Sequence, residues 1–213
     1  MGIQFFLSHP PFEAGNEDGQ DSVPVRLQLR IQSLSITVRH MKIIKNLLAV
    51  LSLLVGASAM AAMPKAGDVA PAFQGTDQNG NAVKSSDLIG KKIVLLYFYP
   101  KDFTGGCTKE ACGFRDRMTD LQKDNVQVIG VSFDSAYKHK QFEQKYNLNF
   151  TLLADPNGTI VDAYGARMGA MNMSRRVSFL IGVDGKIVHV TDAMNPQVHF
   201  DEMKAAIGSL QKS

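Results

Sequence analysis

Cys107 and Cys112 are the only two cysteines of this 213-residue chain, and they stand five apart at the end of the run Tyr97-Phe98-Tyr99-Pro100-Lys101-Asp102-Phe103-Thr104-Gly105-Gly106-Cys107-Thr108-Lys109-Glu110-Ala111-Cys112. The pair lies just past a strand-like apolar stretch and opens a helix-like one. At the first turn of a helix, unpaired backbone N–H groups and the positive end of the helix dipole favour a thiolate over a thiol. A thiolate attacks peroxides and disulfides, so redox chemistry is the first chemistry these residues suggest.

The helical face follows from spacing. Cys107, Ala111, Phe114, Met118 and Leu121 recur at intervals of four, three, four and three, which puts Cys107 on the buried stripe of its helix. Cys112 does not share that stripe. Five helical residues rise about 7.5 Å and turn about 140°, separating the two Cα atoms by roughly 8 to 9 Å. A disulfide needs less than about 7 Å. Either the two thiols never bond, or this helix partly unwinds when they do. Gly113 favours unwinding, because glycine inside a helix costs about 1 kcal/mol relative to alanine. A structural disulfide and a pair of inert buried thiols are the plainer alternatives.

The elements that must position this site read as strands alternating with helices, an α/β sandwich. Ile93–Tyr99 and Val126–Phe133 are continuous apolar, β-rich runs, as expected of central strands covered on both faces. Pro71-Ala72-Phe73 and Asn79-Gly80-Asn81 suggest an opening hairpin. A helix is expected over Tyr137–Tyr146, a short strand over Phe150–Leu153 and a short helix over Thr159–Tyr164. Val177–Ile181 and Lys186–Val190 flank the turn signal Asp184-Gly185, and Phe200, Met203, Ile207 and Leu210 mark an amphipathic C-terminal helix.

Pro100-x-x-x-Thr104-x-x-Cys107 resembles the peroxiredoxin active-site motif. With a second cysteine five residues on, Tyr97–Asp116 is similar to the bacterioferritin comigratory protein or peroxiredoxin Q subfamily. The likeness continues through Asn149–Asp155 and Arg176–Ile181, so it covers about the whole mature domain. It implies a thioredoxin-like fold, a central mixed β-sheet flanked by helices, and a thiol-dependent peroxidase needing no cofactor and no metal. On that resemblance Cys107 is the peroxidatic nucleophile and Cys112 resolves its sulfenic acid as an intramolecular disulfide. Thr104 would bond the thiolate and the peroxide oxygen, Pro100 would close the pocket against water, and Arg176 would keep Cys107 ionised and polarise the peroxide. Arg175 and Arg176 point to opposite faces by strand alternation, and only the resemblance selects Arg176. One departure stands out: the subfamily commonly has Thr-Pro-Gly-Cys where this chain has Thr104-Gly105-Gly106-Cys107. The implied partners are hydrogen peroxide or organic hydroperoxides and a dithiol reductant protein, and the expected assembly is a monomer or weak homodimer. A thioredoxin-like disulfide oxidoreductase is the nearest enzymatic alternative, although it normally carries Cys-x-x-Cys.

Composition narrows the rest. The chain is 45% hydrophobic and 20% charged with a formal charge of only +3, which suits a globular protein and gives no nucleic-acid surface. Lys42 and Lys45, the apolar stretch Leu47–Val55 and small residues up to Ala61 have the layout of a secretory signal peptide cleaved near Ala59 or Ala61. The expected organisation is therefore residues 1–40 as an extension upstream of a true start at Met41, 41–61 as the signal peptide, and 62–213 as the domain. The mature protein is expected to be exported, in the periplasm, without stable membrane attachment. Met168, Met171 and Met173, with Met194, form a soft-ligand set that could bind Cu(I) in an exported protein. The plainer reading is an apolar loop lining the substrate pocket. His139, His189 and His199 lack metal-ligand spacing and are expected at the surface.

Overall fold

Ile93–Phe98 (β3) holds six apolar residues in succession, and all six are buried because the strand lies inside a sheet covered on both faces. The structure is a computed structural model that describes residues 62–212. The extension over 1–40 and the leader over 41–61 lie outside the described residues. No described helix is long and apolar enough to cross a membrane.

The chain opens with a hairpin, Gln74–Asp77 (β1) and Ala82–Lys84 (β2), turning at Asn79-Gly80 as the sequence indicates. The strand begins just after Pro71-Ala72-Phe73 rather than within it. After β3 come Gly105–Lys123 (α1), Val126–Ser132 (β4), Ala136–Tyr146 (α2), Thr151–Ala154 (β5) and Thr159–Ala163 (α3). Val177–Ile181 (β6), Ile187–Asp192 (β7) and Pro196–Leu210 (α4) complete the domain. The seven strands run in the order β2-β1-β5-β4-β3-β6-β7. The β3–β4 and β4–β5 pairs are parallel and the other four are antiparallel, which gives the expected mixed, thioredoxin-like sheet.

Strand alternation divides the core in two. Ile93, Leu95 and Tyr97 point to one face and pack with Phe114 and Met118 of α1, Phe142 of α2, and Phe200, Met203 and Ile207 of α4. Val94, Leu96 and Phe98 point to the other, against Ile160 and Val161 of α3 and Phe179 of β6. The stripe Cys107, Ala111, Phe114 and Met118 is buried as its spacing requires, and Leu121 packs against its margin.

Two expectations about histidine are corrected. His139 and His199 are fully buried, not at the surface. Both rings are held by hydrogen bonds: His139 Nδ1 lies 2.8 Å from Asp102 Oδ2 while its Nε2 has no partner among the described residues, and His199 lies between Ser178 Oγ at 2.7 Å and the Ala193 carbonyl at 2.8 Å. His189 is half-buried and pairs with Glu202.

Candidate active site at the start of the first long helix

The site forms where β3 ends and α1 begins. Thr104 is the N-cap residue, in extended conformation, so Gly105 is the first helical residue and Cys107 the third. Cys107 therefore sits in the turn whose N–H groups lack intrahelical partners. Its side chain is only 2% exposed. Cys112 is half-buried in the same unbroken helix, and both thiols are free.

Arg176 comes from the residue before β6. The pairing of Phe98 with Val177 in neighbouring antiparallel strands carries Arg176 past the end of β3, over the first turn of α1. Its Nη2 donates to Cys107 Sγ at 3.4 Å, and Nη1 donates to Glu110 Oε2. A Cβ at position 106 would come within 3.0 Å of Arg176 Nη2, so Gly106 leaves the space the guanidinium occupies. Burial works against the charge of Arg176, but Glu110 and Cys107 more than offset it and raise its pKa further. Arg175 turns outward and pairs with Asp192 at the surface.

Glu110 has no exposed surface, and burial lifts its carboxyl from an ordinary 4.5 to about 7 even though Arg176 pulls the other way. Oε1 has no hydrogen-bond partner among the described residues, and His199 Nδ1 lies 3.8 Å from it. The Ala193 carbonyl can only accept, so His199 Nε2 carries a proton. Burial holds the pKa of His199 below its usual range, leaving Nδ1 to accept from Ser178.

The loop from Tyr99 to Thr104 is tied down from several sides. Tyr99 stays a phenol, because burial and then the Asp102 charge push its pKa well up, and it donates to Asp102 Oδ1 at 2.7 Å. The other oxygen of Asp102 meets His139, and its backbone N–H donates to Asp134 at 2.8 Å. Ser174 donates to the Tyr99 carbonyl at 2.6 Å, linking this loop to the segment that carries Arg176. Phe103 takes a left-handed φ of 63°, uncommon for a side chain of its size, and packs edge-on against Phe142.

These contacts describe a thiol in a helix N-terminus beneath a buried guanidinium, and similarity to known proteins gives the arrangement a family. Residues 66–190 match the AhpC/TSA family model. The chain belongs to the AhpC/TSA family of peroxiredoxins. It is 44% identical over 143 residues to peroxiredoxin Bcp of Escherichia coli K12, across 64% of this chain and 91% of that protein. It is 36% identical over 146 residues to chloroplastic peroxiredoxin Q of Oryza sativa subsp. japonica, across 68% and 67% of the two lengths. The crystal structure of peroxidoxin BcpB from Mycobacterium tuberculosis superposes with a TM-score of 0.65 at 31% identity, covering 70% of this chain and 98% of that one.

In this peroxiredoxin the structure brings Cys107 and Arg176 into contact and sets Thr104 at the head of the helix. The Thr104 hydroxyl donates to the Lys101 carbonyl at 3.0 Å, so in this conformation it braces the loop instead of reaching Cys107. Pro100 is half-buried at the bend that leaves β3. Met168 and Met194 line a depression of about 460 Å³ together with Arg175 and Arg176, on the methionine-loop side of the site. Met171 is half exposed on the same loop, whose ends are joined by the bond from Met168 N–H to the Met173 carbonyl.

Sequence reasoning missed Gly106, Glu110 and the Tyr99–Asp102–His139 group. Glu110 did leave a signal. It lies three residues after Cys107 and one before Ala111, inside the apolar stripe, where a carboxylate needs a buried cation. His139 likewise stands one turn before Phe142 on the buried face of α2.

Two measurements test this geometry. A Cβ at Gly105 meets nothing within 4 Å, and the position is the first helical residue, where proline fits without losing an intrahelical bond. Gly105→Pro is expected to stabilise the reduced protein by about 0.4 to 1 kcal/mol through the unfolded chain, seen as a higher Tm. A melt unchanged or lowered would contradict that placement. For Glu110, the folded protein holds its proton up to about pH 7 while the unfolded chain releases it near 4.5. The favourable contribution is therefore complete below about 4.5 and lost as pH rises through about 7. In urea titrations between pH 5 and pH 8, wild type should lose on the order of 2 kcal/mol relative to Glu110→Gln, which cannot ionise.

Proposed function

We propose that this chain is an exported thiol peroxidase that reduces hydrogen peroxide and organic hydroperoxides through Cys107 and Cys112. The observation that carries the reading is the 3.4 Å contact between Arg176 Nη2 and Cys107 Sγ at the first turn of α1, with Cys112 five residues on. In the first step the Cys107 thiolate attacks the terminal peroxide oxygen. The O–O bond breaks, the departing oxygen takes a proton to become water or an alcohol, and Cys107 is left as a sulfenic acid. Arg176 donates both to the sulfur and to the charge developing on the peroxide. Pro100 limits water at the bend, and the Thr104 hydroxyl turns from Lys101 to the bound peroxide.

Cys112 then attacks the sulfenic sulfur, water leaves, and an intramolecular disulfide forms. A dithiol protein, thioredoxin-like or another exported thiol donor, returns two electrons by thiol–disulfide exchange. The working unit is a monomer or weak homodimer that binds neither nucleic acid nor membrane. Export rests on the leader-like residues Lys42–Ala61, and it restricts the reductant to proteins found outside the cytoplasm.

Stopped-flow peroxide consumption tests the chemistry. Cys107→Ser should abolish turnover, and Cys112→Ser should consume about one equivalent and stall at the sulfenic acid. Peroxide removal that survives loss of Cys107 would overturn the reading. N-terminal sequencing of the mature protein tests export: a new terminus within a few residues of Ala59 or Ala61 supports it, and a protein that retains Met41 in the cytoplasm refutes it.

A further inference from the structure

Resolution requires the first turns of α1 to come apart, because Cys112 cannot reach Cys107 while both are helical. Phe200, near the start of α4, packs against that stretch of helix. A Cβ on Gly113 would lie 2.1 Å from Phe200 Cζ and 2.6 Å from Cε2, so the ring rests on the backbone of the residue after Cys112. Phe114 meets the same ring edge-to-face with centroids 5.0 Å apart, and the Arg117 guanidinium stacks 4.3 Å from its centroid. One side chain of α4 thereby touches positions 113, 114 and 117 of α1. Beside the ring, the seam between the helices opens into a crevice of about 220 Å³ lined by Phe114, Arg117, Leu121, Phe200, Met203 and Ile207. Arg115 adds a lateral tie, donating to the Tyr146 carbonyl at 2.6 Å.

We propose that Phe200 is a positioning residue that keeps α1 wound around Cys112 and so sets the rate at which the Cys107 sulfenic acid is resolved. The inference rests on the reading in which Cys112 is the resolving thiol. While α1 stays wound, the sulfenic acid remains exposed to a second hydroperoxide, which transfers one oxygen to sulfur and leaves as water or alcohol, giving the sulfinic acid. Once α1 unwinds, the Cys112 thiol displaces hydroxide from the same sulfur, its proton completes the departing water, and the disulfide forms. The grip of Phe200 thus sets the partition between a recyclable disulfide and an inactive sulfinate. Glycine at position 113 is required for that grip, since any side chain would push the ring away.

The test measures disulfide formation by rapid quench, and sulfinic acid by mass spectrometry across a peroxide series. Phe200→Leu and Phe200→Ala give up edge-to-face and cation–π contacts worth about a tenfold change in the unwinding equilibrium. Both should form the disulfide about tenfold faster and need about tenfold more peroxide for half-maximal sulfinate, while the rate of the first oxidation stays at the wild-type value. Ile160→Ala, on the opposite face of the sheet, controls for general loss of stability and should leave the partition unchanged. Adding Gly113→Ala to Phe200→Ala places a methyl where the ring was and raises helix propensity, which should slow resolution about fivefold relative to Phe200→Ala alone. If both Phe200 variants keep the wild-type partition, or Ile160→Ala shifts it equally, the inference is overturned while the two-cysteine reading stands. If wild type forms no Cys107–Cys112 disulfide at all, the two fall together.

Discussion

A guanidinium buried beside a thiol is the constraint on which the rest of this domain depends. Arg176 is 5% exposed, and an isolated cation at such a position would be costly. Glu110 and Cys107, both on the first turns of α1, accept from its Nη1 and Nη2, and its approach is left open by Gly106. The sheet supplies the meeting point. Because β3 lies between β4 and β6, the chain leaving β3 forms the loop and helix that carry the cysteine, while the chain entering β6 passes directly over them. Neither the register of β6 nor the direction of α1 could shift by a residue without separating the guanidinium from the sulfur.

That arrangement leaves the loop between β3 and α1 with little freedom, and the buried polar groups around it act as its anchors. The Tyr99–Asp102–His139 network fixes the loop to α2, Asp134 fixes it to the end of β4, and Ser174 fixes it to the Arg176 segment. The left-handed Phe103 fits this pattern, since an unfavourable backbone conformation persists where the surroundings over-determine it. The position of Thr104 is thus set by several elements at once, although the threonine itself bonds only locally in this conformation.

Two requirements meet in α1. The start of the helix presents its N–H groups to Cys107, and on the proposed two-cysteine cycle the same helix opens for Cys112 to travel. Gly113 bears on both. In sequence it reads as a weak point, and in the fold it is also a point of close contact, because Phe200 occupies the space of the missing side chain. A residue that lowers the intrinsic stability of the helix therefore admits the tertiary contact that restores it. On the proposed cycle, this division lets a single helix be rigid during the first chemical step and separable afterwards.

Much of this was legible before any coordinates. Strand runs such as Ile93–Phe98 and Val126–Ser132 are apolar without interruption because both faces are covered, and the period of Cys107, Ala111, Phe114 and Met118 follows from a helix lying on a sheet. Spacing also showed that Cys107 and Cys112 do not bond within a regular helix, and the change from a strand-like to a helix-like run placed Cys107 at a helix start. Polar residues in the interior were the least legible. The burial of Glu110, His139 and His199 is only faintly marked in sequence, since what makes it tolerable is a partner from a distant segment: Arg176, Asp102 and Ser178 respectively. The choice of Arg176 over Arg175 could be made from the sequence only by resemblance, since alternation separates two neighbours without saying which faces inward. Sequence by itself determined the main elements and the place of Cys107 at a helix start, because periodicity and helix-end signals are local. Tertiary structure alone decided which charges are buried together and which ring rests on Gly113, because those depend on segments joined only when the sheet closes.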